Sequence, residues 1–232
     1  DVSFWYADIG LPARQRRSLD QDVSADVAII GAGFTGLWTA YYLKKQQPNL
    51  QVIIVEKTFA GFGASGRNGG WCMGTFAWNH EAYARVTSRA SVLDMVRHLE
   101  AAVPEITRVC EAEGIDADIL PTEELMLASN PAQLVRLRAE FKHRSEWGEG
   151  HRLRELSAAE VTQRLNVPNA LGALSISGMT RIQPAKLVRG LADTVEAMGV
   201  QIYEGTEALA YTHGEIRPPQ GRVRAPIILR CT

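Results

Sequence analysis

The sequence predicts an α/β fold that begins with a βαβ unit in a parallel sheet. Residues 27–30 and 52–55 are short, continuously apolar runs, which are typical of parallel strands buried on both faces. The segment Gly31-Ala-Gly-Phe-Thr-Gly36 directly follows the first run, and helical spacing continues from it to Pro48. The second run ends on Glu56, which completes a βαβ unit of about 30 residues.

Composition and charge narrow the class of protein. The chain has 232 residues, of which 46% are hydrophobic, so a sizeable core can form. Lysine and arginine (25) nearly balance aspartate and glutamate (26), which leaves no field that would attract nucleic acid. No apolar run approaches the roughly 20 residues that span a bilayer, and the N-terminus lacks a signal-peptide pattern. We therefore expect a cytoplasmic protein with neither a nucleic acid partner nor a membrane span.

Cysteine and histidine spacing indicates neither a metal site nor structural disulfides. Cys72, Cys110 and Cys231 are odd in number and form no CxxC pair. The five histidines show no metal-ligand spacing and no link to a nucleophile. We expect no bound metal, and we interpret the histidines as solvated or capped side chains.

The two ends of the chain have less regular patterns. Residues 1–25 are predicted to form an irregular arm whose aromatic residues 4–6 pack onto the domain. The alternative is a basic binding site at residues 14–17. Toward the C-terminus, a helix is predicted over 185–198 and a strand over 200–203. A β-hairpin is predicted over 207–229, with its turn at Pro218-Pro219-Gln220-Gly221.

The middle of the chain has a different pattern of predicted helices and strands from the βαβ unit. A long helix is predicted over 88–113, which Pro104 is expected to kink or divide and Gly114 to cap. The block 118–180 combines predicted strands and helices and is therefore a candidate inserted domain. Its predicted elements are strands at 124–128 and 171–177, a helix at 131–147 and a capping box at 157–160.

The first glycine-rich turn has the context of a dinucleotide-binding motif. Gly31 allows the tight turn, Gly33 lets backbone amides approach a pyrophosphate, and Gly36 permits close packing of the helix on the strand. Glu56 follows Gly36 by 20 residues, where a carboxylate can bind the hydroxyls of an adenosine ribose and would repel the 2′-phosphate of NADP. The alternative is a glycine turn in some other α/β domain.

A second glycine-rich segment, residues 61–71, favours a flavin over a nicotinamide cofactor. FAD has a second half to position, whereas a nicotinamide dehydrogenase has no evident use for such a loop just after the ribose-binding acid. Ser65, Arg67 and Asn68 supply hydroxyl, guanidinium and amide donors there. A flexible surface loop with a solvated arginine is the alternative.

Several segments together resemble a known family. They are Gly31-Ala-Gly-Phe-Thr-Gly-Leu-Trp-Thr-Ala-Tyr-Tyr-Leu43, Val55-Glu56-Lys57, Gly63-Ala-Ser-Gly-Arg-Asn-Gly-Gly70, Gln183-Pro-Ala-Lys-Leu187 and Gly199-Val-Gln-Ile-Tyr-Glu-Gly-Thr206. The sequence resembles the FAD-dependent oxidoreductase family of D-amino acid, glycine and sarcosine oxidases. Its Ser-Gly-Arg-Asn-Gly-Gly form is most similar to the gamma-glutamylputrescine oxidoreductase-like branch.

The resemblance implies which residues contact FAD. The residues implied at the pyrophosphate are Gly31, Gly33, Phe34, Thr35 and Gly36. The residues implied beside the ribose and adenine are Glu56, Lys57 and, through its backbone, Ala208. The residues implied to run toward the flavin ring are Ser65, Arg67, Asn68, Gly69 and Gly70. Some family members link the flavin covalently to a histidine or cysteine, but Cys72 matches no such position, so we expect noncovalent FAD and a packed Cys72 thiol.

The same resemblance implies the architecture and the reaction. Residues 1–117 and 181–232 would form an FAD-binding Rossmann-like domain, and 118–180 part of an inserted, incomplete α+β substrate domain. Because family members run well beyond this length, we expect that the chain is an N-terminal portion whose activity alone is in question. The implied reaction oxidises the C–N bond of a small-molecule amine or amino acid by hydride transfer to flavin, with oxygen or another acceptor taking the electrons.

The alternatives left open are an NAD-dependent dehydrogenase and a non-catalytic nucleotide-binding fragment. Within the family, the substrate stays open among gamma-glutamylated polyamines, D-amino acids and N-methyl glycines. No residue is assigned as the catalytic base. Substrate-binding groups are expected partly in 118–180 and largely beyond Thr232.

Overall fold

The computed structural model describes residues 2–13, 15–76 and 79–232. The helices, in chain order, are α1 (Phe4–Ile9), α2 (Phe34–Gln46), α3 (His80–Val86), α4 (Arg89–Glu113), α5 (Pro131–Glu146), α6 (Ala158–Arg164) and α7 (Pro184–Ala197). The strands are β1 (Val23–Ser24), β2 (Val27–Ile30), β3 (Val52–Val55), β4 (Trp71–Met73), β5 (Leu120–Ala128), β6 (Leu153–Ser157), β7 (Gly172–Arg181), β8 (Gln201–Tyr203), β9 (Ala210–Thr212), β10 (Glu215–Arg217), β11 (Val223–Arg224) and β12 (Ile227–Arg230). Within the described part of the chain, no helix has the length and apolar character that crossing a membrane requires.

The chain divides into two compact units. The first consists of Asp1–Gly70, Cys110–Asp118 and Gln183–Thr232, and the second of Trp71–Val109 and Ile119–Ile182. The family resemblance implied that residues 71–109 belong with the nucleotide-binding segments, within 1–117. These residues belong to the second unit because β4 pairs antiparallel with β7, and because Gly74 approaches α4 so closely that a Cβ there would lie 2.4 Å from the Leu99 carbonyl oxygen.

A four-stranded parallel sheet forms the centre of the first unit. Its strand order is β12-β2-β3-β8, and every neighbouring pair is parallel. All residues of β2 and β3 are buried, which explains why both strands are continuously apolar. The predicted α/β fold with a βαβ unit is therefore confirmed.

The first unit also contains a small antiparallel meander, which matches the predicted hairpin in part: β10 and β11 pair across the predicted turn at Pro218 to Gly221, but a further turn lies within the predicted first strand. β9 and β10 pair across a turn at His213 and Gly214, β10 pairs with β11, and β1 joins β11 in parallel. Gly214 has φ +89°, which the tight turn requires. The segment around Pro218 is only the second of two turns, and β12 leaves the meander to join the parallel sheet.

The N-terminal segment is more ordered than its sequence pattern predicts. Residues 4–9 form helix α1, which Ser3 caps by accepting a hydrogen bond from the Tyr6 amide. Tyr6 is 2% exposed, as expected for a pinned aromatic residue, whereas Phe4 is 75% exposed. Arg16 forms ion pairs with the carboxylates of Asp193, Glu196 and Glu204. The charge of this arginine is therefore neutralised within the first unit. Arg14 lies outside the described residues.

The second unit is built on an antiparallel sheet. β7 is its central strand and pairs with β4, β5 and β6. The predicted helix at 131–147 and the capping box between Ser157 and Glu160 are both present. Strand β6 and helix α3 were missed because they are short and carry mixed polar and apolar residues, and β4 was missed because it has only three residues directly after the glycine-rich loop.

Helix α4 runs without interruption from Arg89 to Glu113, so Pro104 does not divide it. Its C-terminal end follows the prediction. Gly114 has φ +68°, and the Ile115 amide donates to the Cys110 carbonyl oxygen at 2.8 Å. This pattern is that of a helix terminated by a left-handed glycine.

Candidate functional site

The turn between β2 and α2 requires glycine at both ends. Gly31 has φ +103°, a backbone conformation that residues with a Cβ rarely adopt. Its amide donates to the Val55 carbonyl oxygen at 2.8 Å, which ties the turn to β3. A Cβ on Gly36 would lie 2.1 Å from the Gly31 carbonyl oxygen. Glycine at position 36 therefore lets α2 begin directly against the turn.

The first turn of α2 presents amide groups that suit a phosphate. The first amides of a helix have no intrahelical acceptor, and the helix dipole adds positive potential at this end. The Phe34 amide donates to the Ser65 hydroxyl at 2.8 Å, and the Thr35 side chain is exposed beside it. A Cβ on Gly33 would lie 2.9 Å from the same Ser65 oxygen. Ser65 thus joins the first glycine turn to the second glycine-rich loop.

Glu56 is held with its carboxylate toward the glycine turn. One carboxylate oxygen accepts from the Ala32 amide at 2.9 Å and the other from the Thr58 amide at 3.0 Å. Each oxygen keeps a further acceptor direction, as ribose hydroxyls require. The neighbouring Lys57 is exposed and pairs with Glu207 at 2.7 Å.

The second glycine-rich loop is organised by Asn68. Its amide nitrogen donates to the Ser65 carbonyl oxygen at 2.9 Å, and its side-chain oxygen accepts from the Gly70 amide at 2.9 Å. Because both ends of the amide are engaged, Asn68 shapes the loop, a role that its sequence position did not reveal. Gly69 has no described atom within 4 Å of an added Cβ, so its glycine leaves open space beside the loop.

Arg67 lies on the outside of this loop. Its Nε donates to the Phe62 carbonyl oxygen at 2.6 Å, and its guanidinium lies over the Phe62 ring, 4.2 Å from the ring centroid. Arg67 as a whole is exposed to solvent.

Two features that support the loop were not found from the sequence. Glu204 is buried at the end of β8, where its carboxylate accepts from the amides of Ala60 at 2.9 Å and Arg16 at 2.8 Å. Side chains of α1 also donate to carbonyl groups of the loop. An acidic residue directly after an apolar strand was the available signal for Glu204, whereas nothing in the sequence pairs α1 with the loop.

Ala208 lines a groove of about 480 Å³ beside the C-terminal ends of β2 and β12. The groove is lined also by Ile30, Leu209, Ala210, Tyr211, Arg230 and Thr232. It offers apolar walls and backbone groups, which is the environment that an adenine ring needs.

These residues fit an FAD-type dinucleotide. The cradle at Gly33 would be filled by a Cβ, the amides at the start of α2 suit a diphosphate, and Glu56 suits a ribose diol. All thirteen residues predicted to contact the cofactor belong to the first unit. The first glycine turn, Glu56 and Ser65 are joined by direct hydrogen bonds.

The second unit has a pocket of its own, with a volume of about 380 Å³. Trp71 and Leu120 lie opposite Arg181 on neighbouring strands, so the three side chains share one face of the sheet. Trp71 is 66% exposed and forms an apolar wall. Glu124 also lines the pocket. A cationic, an anionic and an aromatic group therefore surround one space.

The titratable groups of the second unit include a buried histidine. His80 is stacked on Trp147, and its Nδ1 lies 3.3 Å from Nε2 of His143. Burial lowers the pKa of His80 below the ordinary value, although Glu149 opposes the shift. Among the residues described, no three histidine, cysteine or acidic side chains are arranged to hold a metal ion.

The Cys72 thiol lies in β4 and is partly buried. Burial raises its pKa above the ordinary cysteine value. The thiol form is therefore favoured over the nucleophilic thiolate.

Comparison with known proteins places the chain in a family. The sequence profile of the FAD dependent oxidoreductase family matches residues 26–231. The gamma-glutamylputrescine oxidoreductase of Escherichia coli is 27% identical over 219 residues, which are 91% of this chain and 50% of that protein. The probable oxidoreductase OrdL of Rhizobium meliloti is 31% identical over 191 residues, 80% of this chain and 42% of that protein.

Solved structures share the fold. Glycine oxidase from Geobacillus kaustophilus superimposes with a TM-score of 0.70 at 23% identity, covering 90% of this chain and 55% of that one. The chain spans about half the length of the curated relatives it matches. Because the family profile matches residues 26–231, which are most of its length, the chain belongs to the FAD-dependent oxidoreductase family.

Proposed function

We propose that this protein binds FAD noncovalently in the first unit and oxidises the C–N bond of a small amine or amino acid. The observation that carries the proposal is the hydrogen bond from the Phe34 amide to the Ser65 hydroxyl at 2.8 Å. It joins the diphosphate-type turn to a second glycine-rich loop. A nicotinamide cofactor would leave that loop without a ligand, whereas the flavin half of FAD gives it one.

Each part of the first unit has a defined role in this proposal. The amides at the start of α2 bind the diphosphate, and Glu56 binds the adenosine ribose. Ala208 borders the adenine groove, and the backbone of Gly69 and Gly70 borders the flavin ring. When bound, the flavin supplies an acceptor for the hydride that leaves the carbon beside the amine. The partly buried thiol of Cys72, with its raised pKa, is a poor nucleophile for covalent attachment, which supports noncovalent binding.

The second unit supplies groups for the substrate. Its pocket combines the Trp71 ring, the Arg181 guanidinium and the Glu124 carboxylate. These groups suit a small molecule that has an apolar chain, a cationic amine and a carboxylate. Gamma-glutamylated polyamines, D-amino acids and N-methyl glycines all meet this description. The names of the relatives, a gamma-glutamylputrescine oxidoreductase and a glycine oxidase, support the same class.

FAD binding is tested by the absorbance spectrum of the purified protein and by titration of the apoprotein with FAD. Gly33→Ala places a Cβ where the diphosphate would lie and is expected to raise the FAD dissociation constant at least about tenfold. Gly63→Ala is the matched control, since no described atom lies within 4 Å of its Cβ. If no flavin copurifies and none can be reconstituted, the proposal is wrong.

The Gly33 experiment needs a second background because the new Cβ would also approach Ser65. Ser65→Ala removes that oxygen, so the effect of Gly33→Ala is measured again in Ser65→Ala protein. If the loss of FAD binding persists there, the Cβ excludes the ligand itself. If it disappears, Gly33 serves only to accommodate Ser65, and the diphosphate assignment fails.

The reaction is tested by measuring hydrogen peroxide release under air across a panel of amines. The neutral amine would lose a hydride, which carries two electrons and one proton, and the resulting iminium ion would be hydrolysed by water to a carbonyl compound and ammonium. Oxygen as acceptor would take the two electrons, that proton and a second proton from solvent to give hydrogen peroxide. Release with gamma-glutamylated amines or amino acids supports the proposed class. Flavin reduction without peroxide would indicate another electron acceptor.

A further inference from the structure

Helix α1 and its capping residue Ser3 contact the second glycine-rich loop with three side chains. The Ser3 hydroxyl donates to the Gly66 carbonyl oxygen at 3.1 Å, and the Trp5 indole donates to the Asn68 carbonyl oxygen at 2.6 Å. The Tyr6 hydroxyl donates to the Gly61 carbonyl oxygen at 3.1 Å. We call Ser3, Trp5 and Tyr6 the N-terminal clamp. The family profile begins at residue 26, so the clamp lies outside the matched range.

Tyr6 also fits the loop by shape. A Cβ on Gly66 would lie 2.3 Å from the Gly61 carbonyl oxygen and 2.7 Å from the Tyr6 hydroxyl oxygen. A Cβ on Gly61 would lie 2.2 Å from Cγ1 of Val188 and 2.9 Å from the same Tyr6 oxygen. The ring packs edge-on against Phe59, and the Arg189 guanidinium lies 5.2 Å from its centroid. Burial raises the pKa of the Tyr6 phenol, so the hydroxyl keeps its proton and remains a donor. Tyr6 is therefore one of the close contacts that leave no room for a side chain at these two glycines.

The clamp is itself attached to the start of helix α7 in the first unit. The Gln183 side-chain nitrogen donates to the Trp5 carbonyl oxygen at 3.1 Å, and its oxygen caps α7 by accepting from the Lys186 amide at 2.9 Å. Helix α7 begins at the next residue, Pro184. A rigid helix start thus holds α1, and α1 holds the loop.

A glycine-rich loop has a large conformational entropy, which binding of a ligand must overcome. Donors that fix its carbonyl groups before the ligand arrives reduce that cost. We infer that Trp5 and Tyr6 are positioning residues that hold the second glycine-rich loop in its FAD-binding conformation. The inference rests on the proposed function, since it assigns that loop to FAD.

The test uses two substitutions that remove one donor each and keep an aromatic ring. Tyr6→Phe removes the hydroxyl that bonds Gly61, and Trp5→Phe removes the indole donor to Asn68. Tyr203→Phe is the matched control, because Tyr203 is equally buried in the same unit but its hydroxyl contacts Gln201 and Arg17. All variants are compared in the intact protein.

Two measurements follow the loop. The first is the FAD dissociation constant, expected to rise about threefold to tenfold in Tyr6→Phe and Trp5→Phe, since each loses one hydrogen bond that orders the site. The second is the rate of trypsin cleavage after the exposed Arg67 in the apoprotein, expected to increase in the same two variants. Tyr203→Phe should change neither quantity, even if it lowers the melting temperature.

The inference is overturned if Tyr6→Phe and Trp5→Phe bind FAD as the wild type does and are cleaved at the wild-type rate. It is also overturned if Tyr203→Phe reproduces their effects, because loss of global stability would then explain them. Failure of the wild-type protein to bind FAD refutes the proposed function and, with it, the assignment of the loop to FAD. The two failures are therefore distinguishable.

Discussion

Gly36→Ala tests the packing of α2 against the glycine turn. The new Cβ would lie 2.1 Å from the Gly31 carbonyl oxygen and 3.1 Å from Cγ2 of Ile29, whereas ordinary contacts begin at 3.4 Å. The oxygen belongs to the backbone of a turn that is tied to β3, so it cannot rotate away as a side chain would. The helix must move outward by about 1 Å, which also displaces the amides that we propose bind the diphosphate.

The magnitude follows from two opposing effects. Alanine favours the helix over glycine by about 1 kcal/mol, whereas overpacking costs about 3 kcal/mol at the severe end of its range. We expect a net loss of about 2 kcal/mol in the free energy of unfolding, together with weaker FAD binding.

The assay is urea denaturation followed by circular dichroism, in parallel with FAD titration. Gly63→Ala is the control, since Gly63 has φ −72° and open space around its Cβ. Its free energy of unfolding should change by less than about 1 kcal/mol. Wild-type stability in Gly36→Ala would show that α2 does not pack as closely on the turn as the structure indicates.

Two further predictions concern buried or partly buried titratable groups. Glu56→Gln puts an amide nitrogen opposite a backbone donor, at either Ala32 or Thr58. FAD affinity, measured by fluorescence titration, should therefore fall about tenfold. Unchanged affinity would exclude a ribose-binding role. Burial lowers the pKa of His80, so the folded protein favours the neutral imidazole. The contribution of His80 to stability is therefore complete above the ordinary pKa of 6.5 and is lost as the pH falls through the lowered value. Denaturation at several pH values should therefore show less acid sensitivity in His80→Phe than in wild type, and equal sensitivity in both would contradict this assignment.

Local signals account for the parts of the fold that were predicted correctly. The strands β2 and β3 are buried on both faces, so every residue in them is apolar and the pattern is unambiguous. Gly114 and the box at Ser157 are terminal signals that act within one helical turn. The turn at Pro218 to Gly221 was predicted correctly, but the first turn of the meander was missed because it has a single glycine, Gly214, and the prolines after it gave a stronger turn signal.

Long-range contacts account for what was missed. The glycine-rich loop at residues 61–71 accepts hydrogen bonds from Trp5 and Tyr6, which lie 63 and 55 positions earlier than their partners. Strand β4 directly follows that loop, yet it belongs to the second unit because it pairs with β7, which lies more than a hundred residues later. No spacing rule along the chain predicts such a pairing.

The sequence by itself determined the βαβ unit, the glycine turn and the acid at Glu56, because each depends on backbone conformation or burial that neighbouring residues specify. Only the tertiary structure decided how these parts are joined. The Ser65 hydroxyl reaches the Phe34 amide across 31 positions, and the clamp reaches the loop across 55 to 63. Such contacts depend on how the sheet and helices place distant segments side by side, which local sequence patterns do not encode.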